Sequence, residues 1–423
     1  MFWLHGIYSH ILHISVSNFT HRTFVPPMLI VSLPTLLITS AVIRLSLAGT
    51  GQLITRMGLP VEKHRAVTSD GYVLTMFRIP ANVSGAPVAF LQHGIIASSA
   101  DWVILGPGKS LAHSLVTAGY DVWMGNVRGN VNSRKHISLD PAKPEFWDFS
   151  WHEIGLYDLP AMIDYVLKKT DQQSLHYVGH SQGTTAFFVM ASLKPEYNSK
   201  ILSMQALAPV AFMGQMKSPF IRAVAPISTQ LEWTMRMLGV NEFLPSHKMM
   251  IAGGQKACED SSALQEVCVN VIFLICGYDT AQLNRTLLPV IVQHTPAGAS
   301  VKQLAHYAQG INSGRFRQFD HGVLGNVMNY GSATPPSYPL KKITAPVFLH
   351  YGDNDWLAAV PDVQLLHRQL GNTARLLRVP EKQWNHLDFI YATGAKSLLY
   401  NRVIDLMDRY GKTVSEKYTN GEE

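Results

Sequence analysis

Cysteine is scarce in this chain: three among 423 residues, too few to hold a small disulfide scaffold together. Charge is sparse too. Asp, Glu, Lys and Arg make up 15% of the chain, and the formal balance of +6 arises without a basic run, which excludes a nucleic-acid-binding arm. No His, Cys, Asp or Glu spacing fits a metal site. No apolar run has the ~20 residues of a membrane span, and the nearest, residues 28–43, is interrupted by Pro34. What remains is a chain with 47% hydrophobic residues, long enough for one large domain with an insertion or for two domains.

One pentapeptide carries chemistry. Gly179-His180-Ser181-Gln182-Gly183 follows the apolar run Leu175-His176-Tyr177-Val178 and precedes a helix-forming stretch over 184–193. A bare G-x-S-x-G arises by chance in roughly one chain in ten of this length, so the flanks decide its meaning. A strand turning sharply through small residues into a helix exposes the middle serine at the sheet edge, the geometry of an activated nucleophile. A serine needs a base within hydrogen-bond reach, and that base needs an orienting carboxylate. In the chain order of this arrangement both lie downstream. A buried strand over 345–352 ends in Asp353-Asn354-Asp355, and either acid is a candidate. A further strand over 374–379 leads to Asn385-His386, followed by the apolar Leu387-Asp388-Phe389-Ile390, which makes His386 the candidate base. His350 falls inside a strand, and His176 and His180 sit too close to the serine in sequence to reach its hydroxyl easily. The oxyanion needs two backbone N–H donors. Gln182 follows the nucleophile, and the strand over 88–92 ends in His93-Gly94-Ile95, which makes Ile95 the second.

In these motifs and their order, the chain resembles the acid lipase family, which includes gastric and lysosomal acid lipases and insect members. The matching segments are Asp70-Gly71-Tyr72-Val73-Leu74, Leu91-Gln92-His93-Gly94, Ser98-Ser99-Ala100-Asp101-Trp102, Asn126-Val127-Arg128-Gly129-Asn130, the serine pentapeptide, Pro296-Ala297-Gly298-Ala299-Ser300, Gly352 with Asp355, Leu357 and Ala358, and Asn385-His386-Leu387-Asp388-Phe389. They run in family order from residue 51 to about 405. The resemblance implies an α/β-hydrolase fold with a mostly parallel sheet and an inserted, mainly helical cap. It selects Asp355 over Asp353, giving a triad of Ser181, Asp355 and His386 with Ile95 and Gln182 as oxyanion donors. It places a cap disulfide on Cys258 and Cys268, leaving Cys276, in an apolar run, as a buried free thiol. It implies no cofactor, no metal and no obligate protein partner, with a neutral lipid and a lipid–water interface as what the chain meets.

The organisation agrees. Strands are expected near 61–67, 73–79, 88–92, 121–125, 175–178 and 201–206, with helices over 109–118 and 156–169, an alternation that argues for a mainly parallel sheet. The expected division is an N-terminal extension over 1–50, a first hydrolase segment over 51–210, a cap over 211–339 and a second hydrolase segment over 340–423. The cap is rich in methionine and aromatics, among them Phe212, Met213, Met216, Phe220, Leu231, Trp233, Met237, Leu238, Met249, Met250 and Ile251. Half are expected in helix packing and half in an acyl tunnel and a mobile lid. Residues 28–48 read as a signal peptide starting at Met28 and cut after Ala48, with an uncleaved anchor as the alternative. Secretion or delivery to the lysosomal lumen follows, and sequons at Asn82 and Asn284 are expected glycosylation sites. Three functions compete: a neutral-lipid lipase, a carboxylesterase for small soluble esters, and a non-catalytic lipid carrier on the same fold.

Overall fold

The computed structural model describes residues 49–244, 248–259 and 262–419. The expected leader and its cleavage site, and the side chains of Met249, Met250 and Ile251, lie outside the described residues.

Eight strands form one sheet: β1 (Glu62–Val67), β2 (Val73–Ile79), β3 (Val88–Gln92), β4 (Asp121–Met124), β5 (Leu175–His180), β6 (Ile201–Leu207), and two late strands, β9 (Val347–Tyr351) and β10 (Ala374–Arg378). Their spatial order is β1-β2-β4-β3-β5-β6-β9-β10. The two pairings that involve β2 are antiparallel and the rest are parallel. Burial explains the arrangement. Every residue of β3, β4 and β5 is buried, as expected of apolar runs covered on both faces, whereas β1 alternates and lies at the edge. Between the strands the helices Leu111–Thr117, Leu159–Thr170 and Gln182–Leu193 cross over, and the C-terminal helix Asn401–Thr419 sends Val403 and Met407 into the core.

The helix expected over 156–169 is in fact a π-turn, Ile154–Asp158, running into Leu159–Thr170. Two residues account for the irregularity. Gly155 lies so close to Gln182–Leu193, the helix that follows the serine elbow, that a Cβ there would meet Val189 and the Ala186 carbonyl, and Pro160 in the next turn has no N–H to offer the regular ladder.

The chain between β6 and β9 is mainly helical, with Pro219–Val224, Ser228–Met237, Lys248–Cys258, Gln265–Cys276, Leu288–His294, Val301–Ser313 and Gly322–Tyr330. It also holds a pair of two-residue antiparallel strands, β7 (Glu242–Phe243) and β8 (Ala299–Ser300), too short to leave a periodic signature in sequence. Cys258 and Cys268 are disulfide-bonded with Cα atoms 5.7 Å apart, next to a small core of Val269, Phe273 and Leu288. Cys276 is a buried free thiol. Met213 and Met216 pack into the main core, whereas Phe220, Leu231, Trp233, Met237 and Leu238 stand exposed rather than enclosed.

One buried ion cluster ties the crossover after β4 to the first hairpin. Arg128, 1% exposed, donates from Nε to Asp158 at 2.7 Å and from Nη1 to Asp70 at 2.6 Å, and its guanidinium lies 4.0 Å from the centre of the Tyr72 ring. Arg128→Met leaves the fully buried Asp158 without its countercharge. The expected loss is about 3–5 kcal/mol of stability, read as a fall in the denaturant midpoint. A midpoint unchanged from wild type would show that the cluster carries no net stability.

Candidate active site

Ser181 sits between β5 and the helix Gln182–Leu193 with φ +52° and ψ −116°. A non-glycine residue in that region costs on the order of 1–3 kcal/mol, strain that persists only where the surroundings enforce it. They do so here. The Ser181 N–H donates to the Leu207 carbonyl at 3.1 Å, and its own carbonyl accepts from Thr184 N at 2.9 Å and Thr184 Oγ1 at 2.6 Å. The pentapeptide's two outer glycines are required by close approach. A Cβ at Gly183 would strike the Gln92 carbonyl, and one at Gly179 would lie 2.9 Å from the Gly183 carbonyl carbon.

The turn delivers the hydroxyl to an imidazole. Ser181 Oγ is 2.8 Å from His386 Nε2, and His386 Nδ1 lies 2.9 and 3.0 Å from the two Asp355 oxygens. An ionised carboxylate only accepts, so Nδ1–H donates to Asp355, and Nε2 is left to accept the serine proton. Asp355 Oδ1 also accepts from the N–H groups of Leu357 at 2.9 Å and Ala358 at 2.8 Å, which pins the carboxylate. Ser181, Asp355 and His386 are 9%, 1% and 3% exposed. Asp353 goes elsewhere: it pairs with Arg378 at 2.8 Å near the surface.

The backbone donors expected for an oxyanion flank the same serine. Gln182 is the first residue of its helix, so its N–H has no partner within that helix. Gly94 lets β3's exit loop approach, since a Cβ there would lie 3.2 Å from Ser181 Cβ, and Ile95 follows it. That loop is braced by buried polar residues that motif spacing did not reveal. His93 Nδ1–H donates to the Gly94 carbonyl at 2.7 Å. Its Nε2 accepts from Asn130 Nδ2 at 3.1 Å, and Asn130 Nδ2 also donates to Asn126 Oδ1 at 2.9 Å. Burial pushes the His93 imidazole down to about 4, which keeps it neutral in this role.

His180 also has a part that sequence distance hid. It does not approach the serine hydroxyl; its Nε2–H donates to the His386 carbonyl at 3.0 Å. Burial, and the neighbouring His386, hold its imidazole down to about 3, so this link is neutral. His350 lies within β9 and bonds Gln205 at 2.9 Å, away from the serine. Of the sequon asparagines, Asn82 is exposed, while Asn284 is half-buried and caps the turn Arg285–Leu287. Among the described residues no group of three or more His, Cys, Asp or Glu side chains is placed to hold a metal.

Residues 50–106 match the partial alpha/beta-hydrolase lipase region, and residues 87–238 match the alpha/beta hydrolase fold. The chain is 50% identical to Lipase 3 of Drosophila melanogaster over 85% of its own length and 93% of that protein's. It is 41% identical to gastric triacylglycerol lipase of Rattus norvegicus, covering 84% and 90%. The human lysosomal acid lipase/cholesteryl ester hydrolase is 39% identical, covering 85% and 90%. The chain belongs to the acid lipase family. This acid lipase is therefore a carboxylic ester hydrolase. A soluble variant of the monoglyceride lipase of Saccharomyces cerevisiae shares its fold, with a TM-score of 0.51 at 14% identity over 83% of this chain and 95% of that one. Among the described residues of the lipase, no helix is long and apolar enough to cross a membrane.

Proposed function

We propose that the enzyme hydrolyses the ester bonds of neutral lipids, triacylglycerols or cholesteryl esters, at a lipid–water interface, with Ser181, Asp355 and His386 as its triad. The observation that carries this is the unbroken hydrogen-bonded line from Ser181 Oγ through His386 to Asp355. His386 Nε2 takes the hydroxyl proton as Oγ bonds to the ester carbonyl carbon. Asp355 stabilises the imidazolium, and the amides of Ile95 and Gln182 receive the oxyanion. The imidazolium then gives its proton to the departing alcohol as the C–O bond breaks. Water repeats the sequence on the acyl-enzyme and releases the fatty acid.

The lipid preference is supported by the exposed apolar residues of the insertion. On and beside the helix Ser228–Met237, Leu231, Trp233, Met237 and Leu238 are 43–75% exposed. Contiguous exposed apolar surface marks interaction sites, and the substrates for which the gastric and lysosomal relatives are named, triacylglycerol and cholesteryl ester, are apolar. The disulfide supports a secreted or lysosomal location, because such bonds persist in oxidising compartments.

The test is the rate on one ester series measured through its solubility limit. The expected result is a rate that rises when emulsified substrate forms. A rate that saturates below the limit would make the enzyme an esterase for soluble substrates, and failure of an organophosphonate to label Ser181 would make it a carrier.

A further inference from the structure

One short segment of the insertion packs against both loops that carry the acid and the base. Residues 276–283 run between the loop that carries Asp355 and the loop that carries His386. The Cys276 carbonyl accepts from the N–H groups of Trp356 and His386, both at 3.3 Å. The Gly277 carbonyl accepts from Asn385 Nδ2 at 3.0 Å, and the Tyr278 carbonyl from Asn354 Nδ2 at 2.7 Å. Gly277 has φ +109°, and a Cβ there would collide with the Asn354 carbonyl, so only glycine lets the segment lie this close.

In this seam two carboxyl groups meet. Asp388 Oδ2 accepts from Asn385 N at 2.6 Å, and Asp279 Oδ1 accepts from the N–H groups of Ala281 at 2.9 Å and Gln282 at 3.1 Å. The residues are 4% and 2% exposed, and their carboxyls are in hydrogen-bonding contact with each other. Asp279 Oδ2 is buried and finds no N–H or hydroxyl donor among the described residues. Two ionised carboxylates offer only acceptors, so the contact requires a proton between them.

We propose that Asp279 and Asp388 share one proton, and that this O–H···O bond clamps segment 276–283 onto the loop of His386, making both acids positioning residues for the base. The proposal rests on His386 acting as the base of the triad. The titratable groups facing the pair are Asp355 from the acid loop, Glu381 from the base loop and the Cys276 thiol, which burial keeps neutral. Burial, together with the Asp279 charge in front of it, pushes the Asp388 carboxyl up to about 8, and burial pushes Asp279 up as well. When the proton leaves to solvent, the pair goes from one negative charge to two in contact, and their repulsion drives the segment away from the base loop.

The sign follows from linkage. A carboxyl whose folded value is raised contributes stability that is full below its ordinary value and is lost as pH climbs through about 8. In Asp279→Asn the amide Nδ2 donates permanently to Asp388, replacing the shared proton; Asp388→Asn does the same from the other side. On a soluble chromogenic ester, wild-type kcat is expected to fall about tenfold by about pH 9, one unit above the point at which Asp388 gives up its proton, with KM unmoved. Both variants are expected to stay within about twofold of their values near neutral pH. Their melting temperatures, relative to wild type, are expected to rise between about pH 5 and about pH 9. Variants that track wild type in both kcat and melting temperature over that range would overturn the proposal. Should neither variant fold, a wild-type melting temperature flat over the same range would also overturn it. Organophosphonate labelling of wild type near neutral pH judges the triad separately, because its failure would leave the melting comparison intact.

Discussion

Ser181→Ala is expected to lower kcat on a fatty-acyl ester by about five to six orders of magnitude, with the far-UV CD spectrum and melting temperature close to wild type. The size follows from the loss of the acyl-enzyme route altogether. Without Oγ no covalent intermediate forms, and what survives is the acceleration due to binding and the oxyanion donors. The fold is spared for a local reason. Alanine keeps the Cβ at φ +52°, so the backbone strain of the elbow is unchanged, and the bonds that hold the turn belong to the main chain of Ser181 and to Thr184. His386 loses one partner but keeps Asp355, and its backbone stays fixed by Cys276 and His180. Activity near wild type would reject Ser181 as the nucleophile, and a lost CD signal would mean that the elbow, not the chemistry, had been removed.

Much of this arrangement is legible before folding. The central strands announce themselves because burial on both faces demands continuous apolar runs, as in Val88–Gln92 and Leu175–His180. The serine elbow is legible because its glycines are dictated by backbone approach, Gly183 to Gln92 and Gly179 to Gly183, a constraint any sequence in this turn must meet. The choice between Asp353 and Asp355 was not legible from residue chemistry. Residues two apart on a strand share a face, but past Tyr351 the chain has left β9, and the turn sends Asp353 outward to Arg378 and Asp355 inward to His386. The supports of the site were hidden further. His180, Asn130 and Asp279 act through contacts with residues distant in the chain; His180 and Asn130 lie in recognisable segments, but spacing alone does not show which partner each side chain reaches. Composition named Leu231, Trp233, Met237 and Leu238 only as members of an apolar cap; that they lie on and beside the helix Ser228–Met237 and face outward needed the packing.

The two acids give the second large effect. Asp355→Asn is expected to lower kcat by about 10⁴, while Asp353→Asn stays within about twofold of wild type. At position 355 one oxygen is already committed to the N–H groups of Leu357 and Ala358, so the asparagine must place Oδ1 there and turn Nδ2 toward His386. An amide donor facing Nδ1 forces that nitrogen to accept and moves the imidazole proton to Nε2. Nε2–H then points at Ser181 Oγ and has no lone pair left to take the hydroxyl proton. Geometry survives and chemistry does not, so the loss falls on kcat and on the rate of phosphonate labelling. Asp353 is 39% exposed, and its pairing with Arg378 is a surface ion pair of small worth, so removing its charge leaves the triad untouched. Equal losses from the two substitutions would mean that the Arg378 pair holds the acid loop in place, and the assignment of Asp355 as the orienting acid would then rest on its position alone.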